Sequence, residues 1–464
     1  MSPTDPLVAF EQRFRADGAP PEAWQEFARM YRAYRTGAAG KIPWGEVEPL
    51  REGDLIPLAE LGGGDLLRVG RAHRSHLVWI VLNGGLGTSM EMDRAKSLVP
   101  VKGELTFLDL IARHVLELRR RWECPVPVVF MHSFATREDS LRALAPYDLP
   151  AQRESARPLP LDFVQHRFPR IGEADGRPFG RGDEREDWAP PGHGNLYLAL
   201  RTSGLLEALL DRGYRWAFVS NADNLAASPH LGILGKLAAE GLEFLMEVTR
   251  KTAADVKGGT LVRRRGRLEL LELAQVPAGH EADFQDVGRF PVFNTNNLWI
   301  DLEALRERLE AGTLDLPVIV NRKRVGETPV VQLETAMGAA IGSFPRSAGV
   351  LVPRDRFAPV KTTDDLLVRR SDAYVPGREA PLVPNPRRDP ALGPPVVRLD
   401  PAHYRSVPAL DRRIPDPPSL LEARRLEVIG DVRFGTGVVV RGAVRVENAG
   451  EEPLAIPDGA VLSG

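Results

Sequence analysis

Short apolar runs alternate with amphipathic runs along the chain from about residue 71 to residue 370. Short, partly β-branched apolar runs predict buried strands, and apolar residues spaced three or four apart predict helices. The strands are predicted at 76–82, 126–131, 161–164, 216–219 and 243–248. Because strands that alternate with helices form mostly parallel sheets with helices on both faces, the sequence predicts an α/β fold.

The clearest helical pattern follows Thr106, which is suited to cap a helix. Phe107, Leu110 and Val115 recur at helical spacing, and basic residues collect at the C-terminal end of this segment. The helix dipole favours cations at that end. A second helix is predicted over 196–210, after a loop that contains glycine and proline.

Composition and pattern together divide the chain into four predicted units. Residues 1–70 predict a helical appendage, since Phe10 and Phe14 fall on one helical face. Residues 71–370 form the α/β domain. Residues 371–419 are rich in proline and arginine, which predicts a connector on the surface.

The last unit, residues 420–464, shows a six-residue rhythm of apolar positions. Two sets of residues recur at that period, namely Val432, Val438 and Val444, and Phe434, Val440 and Val446. The rhythm predicts a short left-handed parallel β-helix, with a β-sandwich as the alternative. Stacked coils leave an end for association, so we expect this unit to mediate homo-oligomers.

The balance of acidic and basic residues excludes a strong net charge that would attract nucleic acid or membranes to the whole protein surface. The 464 residues include 61 lysines and arginines against 63 aspartates and glutamates, which leaves a net charge of -2. We therefore expect neither nucleic acid nor membrane as a partner, and any anion site must be local. The single Cys124 excludes a disulfide framework, and no signal peptide or membrane span is evident. These features predict a cytoplasmic protein.

A glycine-rich loop follows the first predicted strand. The segment 82–102 reads LNGGLGTSMEMDRAKSLVPVK and places Gly84, Gly85 and Gly87 directly after the strand, with Lys96 nine residues further on. Glycines let backbone N–H groups converge on an anion, and lysine is a compact charge for a polyphosphate. A plain structural turn is the alternative, because the loop matches neither of the common nucleotide motifs.

Four other polar groups are candidates for ligand contacts, and the first of them follows a predicted strand, where ligands gather in open α/β sheets. Asp223 is placed to hold magnesium together with substrate phosphates, with an Asx turn as the alternative. His193, in the sequence PPGHGN, can meet phosphate or sugar hydroxyls, or be merely exposed. The segment 292–299 inserts amide side chains between apolar ones, which suits sugar hydroxyls or a satisfied polar bend. The fourth polar group is Lys361, which stands next to the hydroxyls of Thr362 and Thr363, and the alternative interpretation is a solvated loop lysine.

Eight strings occur in a fixed order and carry a family resemblance: LNGGLGTSMEMDRAKSLVPVK, PPGHGN, SNADNL, EVTRKTAADVKGGTL, LLELAQVP, FNTNNLW, QLETAMGAAI and RFAPVKTTDDLL. Together they closely resemble the UTP:glucose-1-phosphate uridylyltransferases, also called UDP-glucose pyrophosphorylases. The resemblance covers roughly residues 70 to 464 and implies a Rossmann-like nucleotidyltransferase domain with a mixed, mostly parallel sheet.

The resemblance also implies a role for individual residues. By position, the nucleotide-binding residues of the family are matched by Leu82, Asn83, Gly84, Gly85, Gln165 and Gly192. The residues around the sugar and its phosphate are matched by His193, Asn221, Gly259, Glu272 and Asn296. The catalytic lysines that contact phosphate are matched by Lys96 and Lys361, and the Mg²⁺ carboxylate by Asp223.

The reaction implied is attack of glucose 1-phosphate on the α-phosphorus of UTP, which yields UDP-glucose and pyrophosphate. Cations and positioning suffice for such a transfer, so the lack of a nucleophilic triad is expected. The same chemistry on galactose 1-phosphate or N-acetylglucosamine 1-phosphate is one alternative. A non-catalytic sugar-nucleotide sensor is another.

Two departures from the family pattern lie close to these residues. Asp93, Arg94 and Ala95 stand where the family usually has a glycine and a proline. Asn195 replaces an aspartate after PGHG, which removes a negative charge near the expected sugar.

Overall fold

The computed structural model describes residues 5–37, 40–87, 90–92, 94–150, 159–252 and 258–464. Its helices are α1 Pro6–Ala16, α2 Pro21–Arg35, α3 Gly64–His73, α4 Phe107–Trp122, α5 Arg137–Leu144, α6 Glu184–Asp187, α7 Leu196–Thr202, α8 Leu205–Leu210, α9 Leu231–Glu240, α10 Glu281–Gln285, α11 Leu302–Glu310, α12 Thr363–Arg370, α13 Pro401–Tyr404 and α14 Val407–Arg413. None of the helices in these ranges has the length and apolar character that crossing a membrane requires.

The strands are β1 Val47–Glu48, β2 Leu55–Pro57, β3 Leu77–Asn83, β4 Pro100–Lys102, β5 Leu105–Thr106, β6 Val128–His132, β7 Asp162–Val164, β8 Phe168–Pro169, β9 Ile171–Gly172, β10 Trp188–Ala189, β11 Trp216–Asn221, β12 Phe244–Arg250, β13 Thr260–Arg264, β14 Arg267–Leu271, β15 Val292–Asp301, β16 Ile319–Val325, β17 Thr328–Glu334, β18 Ser347–Leu351, β19 Tyr374–Val375, β20 Val383–Pro384, β21 Val396–Leu399, β22 Ser419–Ile429, β23 Val432–Phe434, β24 Val439–Glu447, β25 Leu454–Ile456 and β26 Val461–Ser463.

An eight-stranded sheet in the order β2-β18-β12-β15-β11-β3-β6-β7 forms the centre of the molecule. Its neighbours pair in parallel except at β15, which runs antiparallel to both β11 and β12. The five predicted strands are β3, β6, β7, β11 and β12, with ends shifted by a few residues. The predicted α/β fold with a mostly parallel sheet is therefore confirmed.

Strand β15 contains the polar segment that the sequence singled out. In its pairing with β12, Glu247 faces Asn297 while Val248 faces Asn294, so the intervening residues bulge out of the ladder. Asn296 in this bulge has φ 59°, a left-handed conformation that asparagine tolerates better than most residues. The bulge explains how amides fit between apolar positions of a central strand, since bulges redirect side chains.

Apolar side chains cover both faces of the sheet, and most strand residues are buried. On one face α4 begins as predicted, because Thr106 and Asp109 form a reciprocal capping box. The predicted helix over 196–210 is instead two helices, α7 and α8. Gly204 between them has φ 72°, and a left-handed residue ends an α-helix.

The N-terminal residues contribute to more than one layer. Helices α1 and α2 pack Phe10, Phe14 and Phe27 against Phe168, which forms a separate apolar cluster. Residues further along join the central domain, since β2 pairs with β18 and α3 packs closely against α9. The sheet therefore recruits residues from the segment that the pattern placed in a helical appendage, 1–70.

Parallel strands also form the C-terminal unit. Strands β21, β22, β24 and β26 make one parallel sheet, and β23 pairs in parallel with β25. The apolar residues of the six-residue rhythm are mostly buried here. The predicted connector 371–419 supplies β21, α13 and α14, so it is partly folded into this unit. The left-handed sense of the coil stays a prediction.

Candidate active site

A cavity of about 300 Å³ lies at the carboxyl ends of the central parallel strands. It is lined by Leu82, Asn83, Gly84, Gly85, Lys96, Ser97, Met131, Gln165, Pro190, Gly192, His193, Asn221, Ala222 and Asp223. Parallel strands bring their carboxyl ends to one edge of a sheet, which is where such folds bind ligands. The cavity gathers most of the residues that the sequence predicted, and its lining comes from six separate segments of the chain.

Two of these residues form an ion pair inside the cavity. Nζ of Lys96 lies 2.6 Å from Oδ2 of Asp223, although the residues are 127 positions apart in the chain. Their side chains are 14% and 24% exposed, so both remain within reach of a ligand. The glycine loop places the lysine, since its backbone N–H donates to the carbonyl of Gly85 at 3.1 Å. A cation and a carboxylate thus face the same cavity.

Gln165 meets the glycine loop across the cavity. Its backbone N–H donates to the carbonyl of His132 at 2.8 Å, which fixes it beyond the end of β7. A Cβ atom on Gly84 would fall 2.6 Å from the Gln165 side-chain nitrogen. The amide can approach the loop this closely because the loop residue is glycine, and it offers both a donor and an acceptor.

The loop that carries His193 is fixed by backbone contacts with Thr335. Gly194 donates to the Thr335 carbonyl at 2.9 Å, and the N–H of Thr335 donates to the carbonyl of Pro191 at 2.9 Å. Gly192 has φ 78°, and a Cβ atom there would lie 2.5 Å from the Thr335 oxygen. Glycine is therefore required at this turn both for its conformation and for space.

His193 is neutral, and its proton can be placed from its contacts. Burial lowers the pKa of His193 to about 4. Its Nδ1 accepts a hydrogen bond from the backbone N–H of Met337 at 2.9 Å. The ring proton must therefore be on Nε2, which makes that atom a hydrogen-bond donor.

Asn83 lines the cavity, but its side-chain nitrogen faces the protein. Its Nδ2 lies 2.9 Å from Oγ of Ser140 and 3.2 Å from Nδ1 of His132, and the residue is almost fully buried. The carbonyl of Asn83 is also engaged within the protein, since it accepts from Oγ1 of Thr136 at 2.7 Å. The amide instead ties the end of β3 to the end of β6.

Four lining residues were not predicted from the sequence, namely Ser97, Met131, Pro190 and Ala222. Ser97 and Ala222 adjoin predicted residues, Met131 ends a predicted strand, and Pro190 begins the string PPGHGN, which are the signals that could have found them. Ser97 follows Lys96, and its buried hydroxyl has no hydrogen-bond partner among the described residues.

Gly259, Glu272, Asn296 and Lys361 lie outside this lining and form a second group. A Cβ atom on Gly259 would fall 2.6 Å from a carboxylate oxygen of Glu272. The Gly259 carbonyl accepts from the N–H of Asn294, whose side-chain amide donates to Oδ1 of Asn296 at 2.9 Å. Burial raises the pKa of Glu272, and nearby Lys361 partly opposes that rise.

The backbone joins the two groups. The N–H of Val360 donates to the carbonyl of Asp223 at 3.2 Å, and Asn224 forms an antiparallel bridge with Pro359. Lys361 therefore follows directly on a segment that is hydrogen-bonded beside the carboxylate of the cavity. The residue that pairs with Lys96 is thus hydrogen-bonded through its backbone to the residue before Lys361.

Comparison with known proteins identifies the family that shares this arrangement. The family model of the UTP--glucose-1-phosphate uridylyltransferases matches residues 24–441. The chain belongs to this family. The family predicted from the eight ordered strings is thereby confirmed, and with it the prediction of a nucleotidyltransferase.

Relatives in the uridylyltransferase family match over almost their whole length. The enzyme of Solanum tuberosum is 39% identical over 446 residues, which covers 94% of this chain and 91% of the relative. That of Encephalitozoon cuniculi is 37% identical, covering 95% of this chain and 87% of the relative. Similarity on this scale extends across the sheet domain and the C-terminal unit.

Solved structures of the family share the fold as well as the sequence. A UDP-glucose phosphorylase from Trypanosoma brucei superposes with a TM-score of 0.88 at 37% identity, covering 99% of this chain and 98% of that one. A mutant UDP-glucose pyrophosphorylase from Leishmania major in complex with UDP-glucose gives a TM-score of 0.88 at 38% identity, with the same coverage.

Of the two departures from the family pattern, the one at Asn195 has a clear structural setting. Its Oδ1 accepts from the backbone N–H of His166 at 2.8 Å and lies 3.0 Å from the ring Nδ1 of His166. The residue thus supports the neighbour of Gln165 with an uncharged acceptor. Of the other departure, Asp93 lies outside the described residues, and Arg94 is exposed.

Proposed function

We propose that this chain catalyses uridylyl transfer from UTP to glucose 1-phosphate, releasing pyrophosphate and forming UDP-glucose. The observation that carries the proposal is the meeting of Lys96, Asp223, Gln165 and His193 around one glycine loop, in a chain of this family. An oxygen of the sugar phosphate attacks the α-phosphorus of UTP while the bond to pyrophosphate breaks. The transfer needs no covalent intermediate, because charge neutralisation and in-line positioning account for the catalysis.

The glycine loop and Gln165 are the proposed nucleotide-binding end of the cavity. Uracil carries an N–H donor flanked by carbonyl acceptors, and a side-chain amide is complementary to such an edge. Gly84, Gly85 and Gly192 leave room for backbone to approach the nucleotide. Leu82 and Asn83 complete this wall.

Lys96 and His193 are the proposed phosphate-binding groups. Lysine supplies a full charge, and the Nε2–H of neutral His193 supplies a hydrogen bond to a phosphate oxygen without depending on protonation near neutral pH. In the free protein the charge of Lys96 is balanced by Asp223. An incoming polyphosphate would therefore find the lysine already in place beside the carboxylate of Asp223.

Asp223 is the proposed ligand for Mg²⁺. The described residues contain no cluster of three or more histidine, cysteine, aspartate or glutamate side chains that would hold a metal by themselves. A single partly exposed carboxylate nevertheless fits this ion, which usually takes one or two carboxylates together with substrate phosphates and water. Bound there, Mg²⁺ would supply charge stabilisation for the phosphates.

The group of Gly259, Glu272 and Asn296, together with Asn221 of the cavity, is the proposed hexose site. Carboxylate and amide oxygens accept hydrogen bonds from sugar hydroxyls, and amide nitrogens donate to them. Lys361 stands beside this group and is proposed to reach the phosphate of the sugar. Because its neighbour Val360 is bonded to Asp223, the sugar phosphate and the nucleotide phosphates would meet between the two lysines.

Pyrophosphate release across a panel of nucleoside triphosphates and sugar 1-phosphates tests the function. We expect the pair UTP and glucose 1-phosphate to give the highest kcat/KM, with Lys96→Ala as the control for contaminating activity. A higher kcat/KM with galactose 1-phosphate or N-acetylglucosamine 1-phosphate would show that this sugar phosphate is the substrate instead of glucose 1-phosphate. UDP-glucose binding without release from any pair would favour the sensor.

We also propose that the C-terminal unit mediates homo-oligomers. Strand β26 is the last strand of its parallel sheet, and its Val461 side chain is exposed, which suits association at that end. Light scattering at high micromolar concentration tests this. A monodisperse monomer would contradict it.

A further inference from the structure

Glu247 is a buried carboxylate that none of the proposed substrate contacts uses. It lies in β12 and is fully shielded from solvent. Its oxygens accept hydrogen bonds from Nε1 of Trp299 at 3.0 Å and from Nδ2 of Asn297 at 3.1 Å. Arg356 approaches it as a fork, with Nη2 2.9 Å from Oε1 and Nε 3.3 Å from Oε2. Both oxygens of the carboxylate are therefore held in place.

Stability is a weak reason for such a pair. The free energy needed to remove two charges from water offsets most of their attraction. An apolar pair of similar volume therefore often makes the folded protein as stable or more stable. A guanidinium fork does fix the orientation of its carboxylate, however. Arg356 also donates through Nη2 to the carbonyl of Ser228 at 2.9 Å, so its position is set from two sides.

The segment that follows Arg356 carries this position into the active site. The N–H of Ala358 donates to Oδ1 of Asn224 at 2.9 Å, and Pro359 forms the antiparallel bridge with Asn224. Val360 then donates to the carbonyl of Asp223. The next residue is Lys361. The ion pair is thus the anchor at one end of the segment that places Lys361 beside Asp223.

The same carboxylate is also linked to Asn224 through the side chain of Asn297. Asn297, which donates to Glu247, also presents its Oδ1 to Nδ2 of Asn224 at 3.4 Å. Asn224 follows Asp223 directly in the chain. Glu247 is therefore connected to the metal-binding carboxylate through one route and to the second lysine through the other.

We infer that Glu247 and Arg356 are positioning residues for catalysis, whose buried ion pair fixes Lys361 relative to Asp223. The inference rests on the proposed uridylyl transfer. Neither residue is assigned a contact with substrate, and both act through the backbone of residues 356–361 and through Asn224. Misplacing reacting groups by about 1 Å costs roughly a hundredfold in rate, so a small shift of this segment has a large effect on turnover.

The test replaces the pair without leaving a buried charge. In the double variant Glu247→Met/Arg356→Met, two flexible apolar side chains fill the space. Trp299 and Asn297 lose their acceptor, so the unfolding temperature should fall while the protein stays folded at the assay temperature. The matched control is Asp54→Asn, since Asp54 forms a similar buried fork with Arg263, at 2.6 and 2.8 Å, and contacts none of the proposed site residues. Thermal unfolding, kcat, both KM values and the Mg²⁺ concentration for half-maximal rate are measured for the wild type and each variant.

We expect kcat of the double variant to fall by about ten- to a hundredfold at unchanged folded fraction. Its half-saturating Mg²⁺ concentration should rise, because Asp223 is less well placed. Its KM for UTP should change by less than about threefold, since Gln165 and the glycine loop keep their contacts. Asp54→Asn should retain kcat within about twofold of the wild type even if its thermal stability falls.

A folded double variant with wild-type kcat and Mg²⁺ dependence would overturn the inference. So would a loss of activity in both variants that follows their unfolded fraction, because that result describes a structural role only. A wild-type chain without uridylyl transfer would overturn the proposed function as well, and the wild-type measurement reveals it before any variant is compared.

Discussion

Replacement of Lys96 by alanine should separate catalysis from stability. In the free protein, Nζ of Lys96 contacts Oδ2 of Asp223 at 2.6 Å, and both side chains are partly exposed. A pair in such a setting contributes only about 0–1 kcal/mol to folding. Against the developing charge of a phosphoryl transfer, a preorganised charge contributes about 2.7–4 kcal/mol. Lys96→Ala should therefore unfold at nearly the wild-type temperature while kcat falls by roughly a hundred- to a thousandfold.

The assay is pyrophosphate release with UTP and glucose 1-phosphate at saturation, alongside thermal unfolding. Lys236→Ala is the matched control. Lys236 is a similarly shielded lysine in α9, with its Nζ 2.5 Å from Glu240, and it does not line the cavity. It should leave kcat unchanged. A folded Lys96→Ala variant with kcat within about threefold of the wild type would refute the reasoning.

Three further predictions concern the loop around His193, its protonation and Asn195. Gly192→Ala should raise the KM for UTP about tenfold or more, because its Cβ atom would lie 2.5 Å from the Thr335 carbonyl oxygen and displace the loop. Gly182→Ala controls for backbone strain, since Gly182 has φ 83° but open space around it. Equal KM values in the two variants would contradict the steric argument. Because burial lowers the pKa of His193 to about 4, below the ordinary value of about 6.5, the KM for UTP should show no titration of this residue between about pH 5.5 and 7.5; a transition there that His193→Asn abolishes would contradict the neutral donor. Asn195→Asp should raise the pKa of His166, which burial now lowers, since the new carboxylate would favour the imidazolium; NMR titration of the ring measures it, and an unchanged titration curve would count against the contact.

Several elements were visible in the sequence because their signals are local. Strands β3 and β11 are short apolar runs buried along their length, and α4 has both its cap and its periodicity written in adjacent residues. The glycine loop, Lys96 and Asp223 were also found, because each follows a strand. What these patterns predict is an element and the residues at its end.

Other elements depend on contacts that no local pattern contains. Strand β15 inserts antiparallel between β11 and β12, and its bulge at Asn296 arises from pairing with β12. Strand β2 reads as part of a helical segment but completes the sheet beside β18. The break at Gly204 within the helix predicted over 196–210 also escaped the apolar periodicity, which continues across it.

The sequence by itself determined the α/β class and the glycine loop, because residue type and spacing carry that information. The resemblance of the eight ordered strings added the family and most of the residues around the cavity. Only the tertiary structure decided that Lys96 pairs with Asp223, that Asn83 faces inward, and that Lys361 is held beside Asp223 by its neighbour. The reason is physical: these contacts join segments more than a hundred residues apart, or depend on which way a side chain turns once it is buried. They exist only after packing has brought the carboxyl ends of the strands to one edge.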